Sequence, residues 1–146
     1  RRLSTTLAAL LLFSACGDNG VTDPAEPTVT GTWTYAAPDM VRGNQTCSIE
    51  GMQLTLSQDG TAVSGTTSGG TITCVEGSTS VTENIESFSV GGTAIDTAVE
   101  LRVGVTGAPP VLTSSGTFSG NTMTGTAVIQ DLQGDPFTGS FTATRN

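Results

Sequence analysis

Short runs of alternating apolar and polar residues, separated by glycines, fill the sequence from Gly31 to its end. In one of them, Met52, Leu54 and Leu56 alternate with three polar residues. A period of two is that of a β-strand with one buried and one exposed face, and no window keeps the 3.6-residue spacing of a helix over three turns. The sequence therefore predicts an all-β domain.

The number and spacing of these runs favour a barrel. About eight strands, spaced roughly every 8 to 14 residues, are typical of a small antiparallel up-and-down barrel or of a β-sandwich. Gly65, Gly104, Gly125 and Gly139 fall inside strands and indicate strong bending, which favours the barrel over the sandwich. We expect small interior residues such as Gly65, Gly125, Gly139 and Ala143 to leave space inside it.

The composition excludes several kinds of chemistry. The chain has 146 residues, enough for one domain, and its five basic residues are all arginine, so it contains neither histidine nor lysine. The usual general base, the commonest metal ligand and the Schiff-base amine are therefore missing, and we expect no enzymatic activity, metal or cofactor. A net charge of −8 makes nucleic acid an unfavourable partner.

The N-terminus has the features of an export signal. Arg1 and Arg2 precede an apolar stretch, residues 7–13, that is much shorter than the roughly 20 residues of a membrane-spanning helix. Small residues then lead to Cys16, and this ending resembles the signal of bacterial lipoproteins, in which the cysteine is diacylated and becomes the first residue of the mature protein. An ordinary signal peptide cleaved after Ala15 is the alternative.

The lipoprotein resemblance implies a layout and a location for the chain. Residues 1–15 would be the signal peptide, residues 16–30 a flexible tether, and residues 31–146 the folded domain. Diacylated Cys16 would hold the protein to a membrane of the bacterial cell envelope. Because Gly17 occupies the position where an aspartate favours retention in the inner membrane, the resemblance favours the outer membrane over the inner membrane.

Two glycine-containing pairs predict turns in the first half of the domain. Asp59-Gly60 is typical of a type I′ hairpin turn, and the resulting register brings Leu56 opposite Val63. Gly69-Gly70 indicates a second two-residue turn a few residues later.

The remaining cysteines, Cys47 and Cys74, form an even pair in an oxidising compartment. We therefore predict a disulfide that closes about 28 residues and contributes about 3 kcal/mol. Two consecutive two-residue turns at 59–60 and 69–70 would, however, leave the cysteines about 23 Å apart. Either the segment before Gly51 folds back, or one of the turns is wider.

The two ends of the domain resemble a family. Gly31-Thr32-Trp33 resembles the Gly-x-Trp opening of lipocalins and avidin-like barrels, in which the tryptophan closes one barrel end and an arginine of the last strand packs over it. The resemblance implies that Trp33 and Arg145 close the barrel, and Arg145 shares a face with Phe137 and Phe141 in the last strand. Because the chain has a single tryptophan, it lacks the several tryptophans of the avidin-like biotin site.

These observations lead to two hypotheses about function. The first is a membrane-anchored lipoprotein with a non-catalytic barrel that binds a small apolar ligand. The second is a structural or protein-interaction module of the cell envelope with a filled core. An apolar cavity at one barrel end would favour the first hypothesis. The sequence does not indicate an oligomeric state.

Overall fold

The computed structural model describes residues 26–130 and 134–146. The predicted signal peptide, Cys16 and most of the predicted tether lie outside the described residues. Over the described ranges the chain is all-β, and no helix there is long and apolar enough to cross a membrane.

Within the described ranges, eight of the ten strands close into an antiparallel barrel. Around the barrel the order is β1-β2-β3-β6-β7-β8-β9-β10, and β10 pairs again with β1. β4 and β5 form an additional hairpin on β2. This confirms the predicted barrel, and the architecture is consistent with a calycin-like fold. The strands are β1 Gly31–Arg42, β2 Gln45–Asp59, β3 Ala62–Ser68, β4 Thr71–Glu76, β5 Thr79–Asn84, β6 Ser89–Ile95, β7 Ala98–Gly104, β8 Leu112–Ser119, β9 Thr122–Ile129 and β10 Phe137–Arg145.

The β2–β3 turn differs from the predicted one. Its two loop residues are Gly60 and Thr61, and only Gly60 has a positive φ, of 58°. This is the pattern of a type II′ turn, because a type I′ turn needs positive φ at both positions. Leu56 consequently lies opposite Gly65 instead of Val63. A shift of two residues keeps every side chain on its predicted face, so the apolar face still points inward.

The glycines at 69–70 do not reverse the chain. β3 and β4 pair with the same side of β2 in one continuous register, in which Glu50 lies opposite Thr71. The chain bends away from the barrel between them, and both glycines have positive φ. Cys47 therefore faces Cys74 directly, with 4.1 Å between their Cα atoms, and the two form a disulfide. The predicted disulfide is confirmed, and the distance conflict arose from the wrong assignment of a hairpin turn.

The barrel interior is filled by aromatic and aliphatic side chains. Tyr35 and Phe141 stack with ring centroids 5.2 Å apart, and the Tyr35 hydroxyl lies 2.8 Å from the hydroxyl of Ser114, which is also buried. Burial raises the pKa of Tyr35, so the phenol stays neutral in this pair. The other interior side chains that are almost fully buried include Trp33, Met40, Met52, Leu54, Leu101 and Met123.

The interior glycines bring strands together and leave no cavity. A Cβ atom at Gly65 or Gly125 would lie 2.1 Å from a carbonyl oxygen of the neighbouring strand, and one at Gly139 would lie 2.4 Å from such an oxygen. Ala143 is fully buried. At the three glycines the expected space is therefore absent, because the neighbouring backbone occupies it. Their small size permits the tight curvature of the barrel.

Candidate functional site: a pocket at the open barrel end

One end of the barrel, here called the closed end, is sealed around Trp33. Trp33 pairs with Arg145 across β1 and β10, and the Arg145 guanidinium carbon lies 4.5 Å from the centroid of the indole ring. The Trp33 Nε1 donates to the Val29 carbonyl at 2.8 Å, and the Arg145 Nη2 donates to that of Thr28. Val29 is fully buried. Thr28 and Val29, just before β1, therefore contribute to the packing of the closed end.

The opposite end, here called the open end, contains an apolar pocket of about 350 Å³. Barrel strands form its floor, and the β4–β5 hairpin and the following loop, residues 85–88, form its outer wall. This pocket is the candidate functional site. It is lined by Ile49, Met52, Ile72, Glu83, Asn84, Ile85, Glu86, Phe88, Val103, Val111, Leu112 and Ile129.

Strand register places the apolar wall of the pocket. Ile72 of β4 lies directly opposite Ile49 of β2, so the two side chains share one face of the sheet. Ile49 is buried, whereas Ile72 is only partly buried and packs against the core. Ile85 follows the hairpin, and its N–H donates to the Gly70 carbonyl at 3.0 Å. The hairpin and the loop after it thus each add one isoleucine side chain to the mouth of the barrel.

Thr67 fixes the position of the loop at residues 85–88. Its side chain is buried at the end of β3, donates to the Glu86 carbonyl at 3.2 Å and accepts from the Phe88 N–H at 2.9 Å. The Thr67 N–H also donates to the Phe88 carbonyl at 2.9 Å. These three hydrogen bonds hold Phe88, which is partly buried, against the apolar pocket.

The polar part of the lining comes from Glu83, Asn84 and Glu86. Their side chains are exposed. Over the described ranges, no group of three or more histidine, cysteine or acidic residues could hold a metal ion. The arrangement is therefore suited to holding an apolar molecule whose polar end reaches solvent at the glutamates.

The described site residues predicted from the sequence lie outside the open-end pocket, in two other parts of the fold. Trp33 and Arg145 lie together at the closed end, and Cys47 and Cys74 join the hairpin to the barrel. Sequence reasoning missed the pocket residues themselves. The available signal was the presence of Ile72, Ile85 and Phe88 in a segment that is otherwise rich in glycine, serine and threonine.

Comparison with known proteins identified no relative of this chain. No protein-family model matches the chain, and neither the curated proteins nor the solved structures include a match.

Proposed function

We propose that this protein is an exported, lipid-anchored lipoprotein whose non-catalytic barrel binds a small apolar ligand at the open end. The observation that carries the proposal is the apolar pocket of about 350 Å³ at one barrel end. Binding sites for small molecules usually measure about 300–1,000 Å³ and are lined mainly by apolar side chains. The Gly31-Thr32-Trp33 opening and Arg145 support a lipocalin-like barrel within the calycin-like architecture.

The size of the pocket limits the ligand. The volume is near the lower end of the usual range, and the interior below the pocket is filled by Tyr35, Phe141 and their neighbours. A ligand therefore occupies the mouth and does not reach the barrel centre. A short alkyl chain or a small ring system fits this description better than a long fatty acid.

The anchor is proposed from the sequence around Cys16. Diacylation of Cys16 would supply the membrane attachment, and Gly17 favours the outer membrane. The net charge of −8 supports attachment through acyl chains, because an anionic surface is repelled by anionic headgroups.

A structural or protein-interaction module of the cell envelope is the second candidate. The filled interior favours it, since a barrel that only presents its surface needs no large cavity. The outer faces of β8, β9 and β10 carry alternating threonine and serine residues that a partner would meet.

Binding of a neutral fluorescent probe, N-phenyl-1-naphthylamine, distinguishes the two candidates. We expect saturable binding to the unmodified protein and at least about fivefold weaker binding to Ile72→Asn, which replaces apolar pocket surface with an amide. Ile95→Asn is the matched control, because Ile95 is 55% exposed and lies in β6 at the closed end. Absence of saturable binding, or an equal loss in both variants, would support the interaction module instead.

Mass spectrometry of the mature protein from its native membrane tests the anchor. We expect a chain that begins at Cys16 and carries a diacylglycerol mass on that residue. A chain that begins at Cys16 with an unmodified thiol would show cleavage by ordinary export and would contradict lipid attachment.

A further inference from the structure

We propose that the ligand of the open-end pocket is an amphiphile with a positively charged head, such as an alkylammonium compound. This inference rests on the proposed function, because it concerns the ligand of the same pocket. It adds the charge of the ligand, which the volume and apolar lining of the pocket do not specify.

The strand ladder places Glu83 beside the apolar wall. Glu83 of β5 lies directly opposite Ile72 of β4, and directly opposite residues of an antiparallel pair extend from the same face. Ile72 packs against the core on that face. The Glu83 side chain therefore starts next to the apolar surface that would hold the body of a ligand.

Glu86 occupies the other polar position at the mouth. It lies in the loop that Thr67 holds through the Glu86 carbonyl, so the backbone at this carboxylate is fixed. Asn84 lies between the two glutamates in sequence and also lines the pocket. An ammonium head at the mouth would lie near two carboxylates and one amide oxygen, which attract a cation electrostatically.

Neither carboxylate is neutralised within the part of the chain that the structure describes. No hydrogen bond or ion pair joins the Glu83 or Glu86 carboxylate to another described residue, in contrast to Glu100, which forms an ion pair with Arg102. The described lining of the pocket includes no basic residue. The negative potential at the mouth would therefore attract a cationic head and repel a carboxylate.

Arg42 carries a positive charge and would disfavour a cationic ligand if it lay beside the open-end pocket. Its guanidinium lies 4.1 Å from the centroid of the Phe137 ring and donates to the Gln45 side chain. It lines a different surface depression, together with Glu76 and Phe137, and does not line the open-end pocket.

Three ligands with the same ten-carbon chain test the charge preference. Decyltrimethylammonium, 1-decanol and decanoate are compared as competitors of N-phenyl-1-naphthylamine on the full mature protein, the two ions below their micelle concentrations and decanol below its solubility limit. We expect the cation to bind about tenfold more tightly than decanoate at low ionic strength, with decanol between them. Because the glutamates are exposed, added salt at roughly 0.5 M should reduce this ratio to about twofold.

Variants assign the preference to the two glutamates. Glu83→Gln combined with Glu86→Gln should weaken binding of the cation about fivefold and leave binding of decanol unchanged. The matched control, Asp59→Asn combined with Asp96→Asn, removes the same net charge at the closed end, where Asp59 ends β2 and Asp96 follows β6. Its affinity for the cation should stay close to that of the unmodified protein.

The possible outcomes distinguish a failure of this inference from a failure of the proposed function. If the neutral probe and decanol bind but decanoate binds as tightly as the cation, the proposal that the pocket binds an apolar ligand is supported. The proposed preference for a cationic head is then wrong. An equal effect of the two double variants also contradicts a role for the glutamates at the mouth. If neither the probe nor any of the three ligands binds, the pocket proposal fails, and this inference fails with it.

Discussion

Replacing Trp33 by alanine is expected to lower the free energy of unfolding by about 3–5 kcal/mol. The indole is fully buried, its N–H donates to the Val29 carbonyl at 2.8 Å, and it lies under the Arg145 guanidinium. The substitution would open a cavity at the closed end, leave the Val29 carbonyl without its donor and remove the cation–π contact. Urea unfolding, followed by circular dichroism at equilibrium, measures the change.

Two further variants identify which contact matters. Trp33→Phe keeps an aromatic ring under Arg145 but loses the hydrogen bond to Val29, and Arg145→Met keeps an aliphatic stem but loses the charge. Each should cost about 1–2 kcal/mol, well below the loss for Trp33→Ala. A loss below about 1 kcal/mol for Trp33→Ala would contradict the sealing role of the indole.

Removal of the disulfide is expected to cost about 3 kcal/mol. Cys47 and Cys74 are 27 residues apart in sequence and join β2 to β4 at directly paired positions. Without the bond, the unfolded chain regains the freedom of that loop, and the β4–β5 hairpin is held by its strand pairing to β2, the packing of Ile72 and the hydrogen bonds of the following loop. The comparison is urea unfolding of the unmodified protein and of Cys47→Ala combined with Cys74→Ala.

Chemical reduction provides the control for this prediction. Treatment of the unmodified protein with dithiothreitol should shift the unfolding midpoint to that of the double variant, and should leave the midpoint of the variant unchanged. Because the hairpin contributes Ile72, Glu83 and Asn84 to the pocket, both forms should also bind N-phenyl-1-naphthylamine more weakly. An unchanged midpoint after complete reduction would contradict a stabilising role of the disulfide.

Most barrel strands could be predicted because each has one buried face. In β2, Met52, Leu54 and Leu56 are buried and their neighbours are more exposed, so the period of two is visible in the sequence. The sequence pattern does not indicate β5, because all six of its residues are exposed and no apolar alternation marks it. A strand that pairs through its backbone and buries no side chain leaves no hydrophobic signal.

The register between paired strands was harder to predict than the positions of the strands in the sequence. The glycines at 69–70 could indicate either a reversal or a bend, and only the pairing of both β3 and β4 with β2 distinguishes these. The interior glycines were misread for a related reason. A glycine indicates a missing side chain, but whether space or the backbone of the next strand takes its place depends on residues far away in sequence.

The sequence by itself determined the all-β class, favoured the barrel over the sandwich and predicted the pairing of two cysteines, because alternation, turn residues and cysteine number are local or countable properties. The tertiary structure decided where the pocket lies and which side chains form it. Ile49, Ile72 and Phe88 come from β2, β4 and a loop, and strand pairing and the hydrogen bonds of Thr67 bring them together. Such long-range contacts depend on the closed register of the whole sheet, which no single segment of sequence encodes.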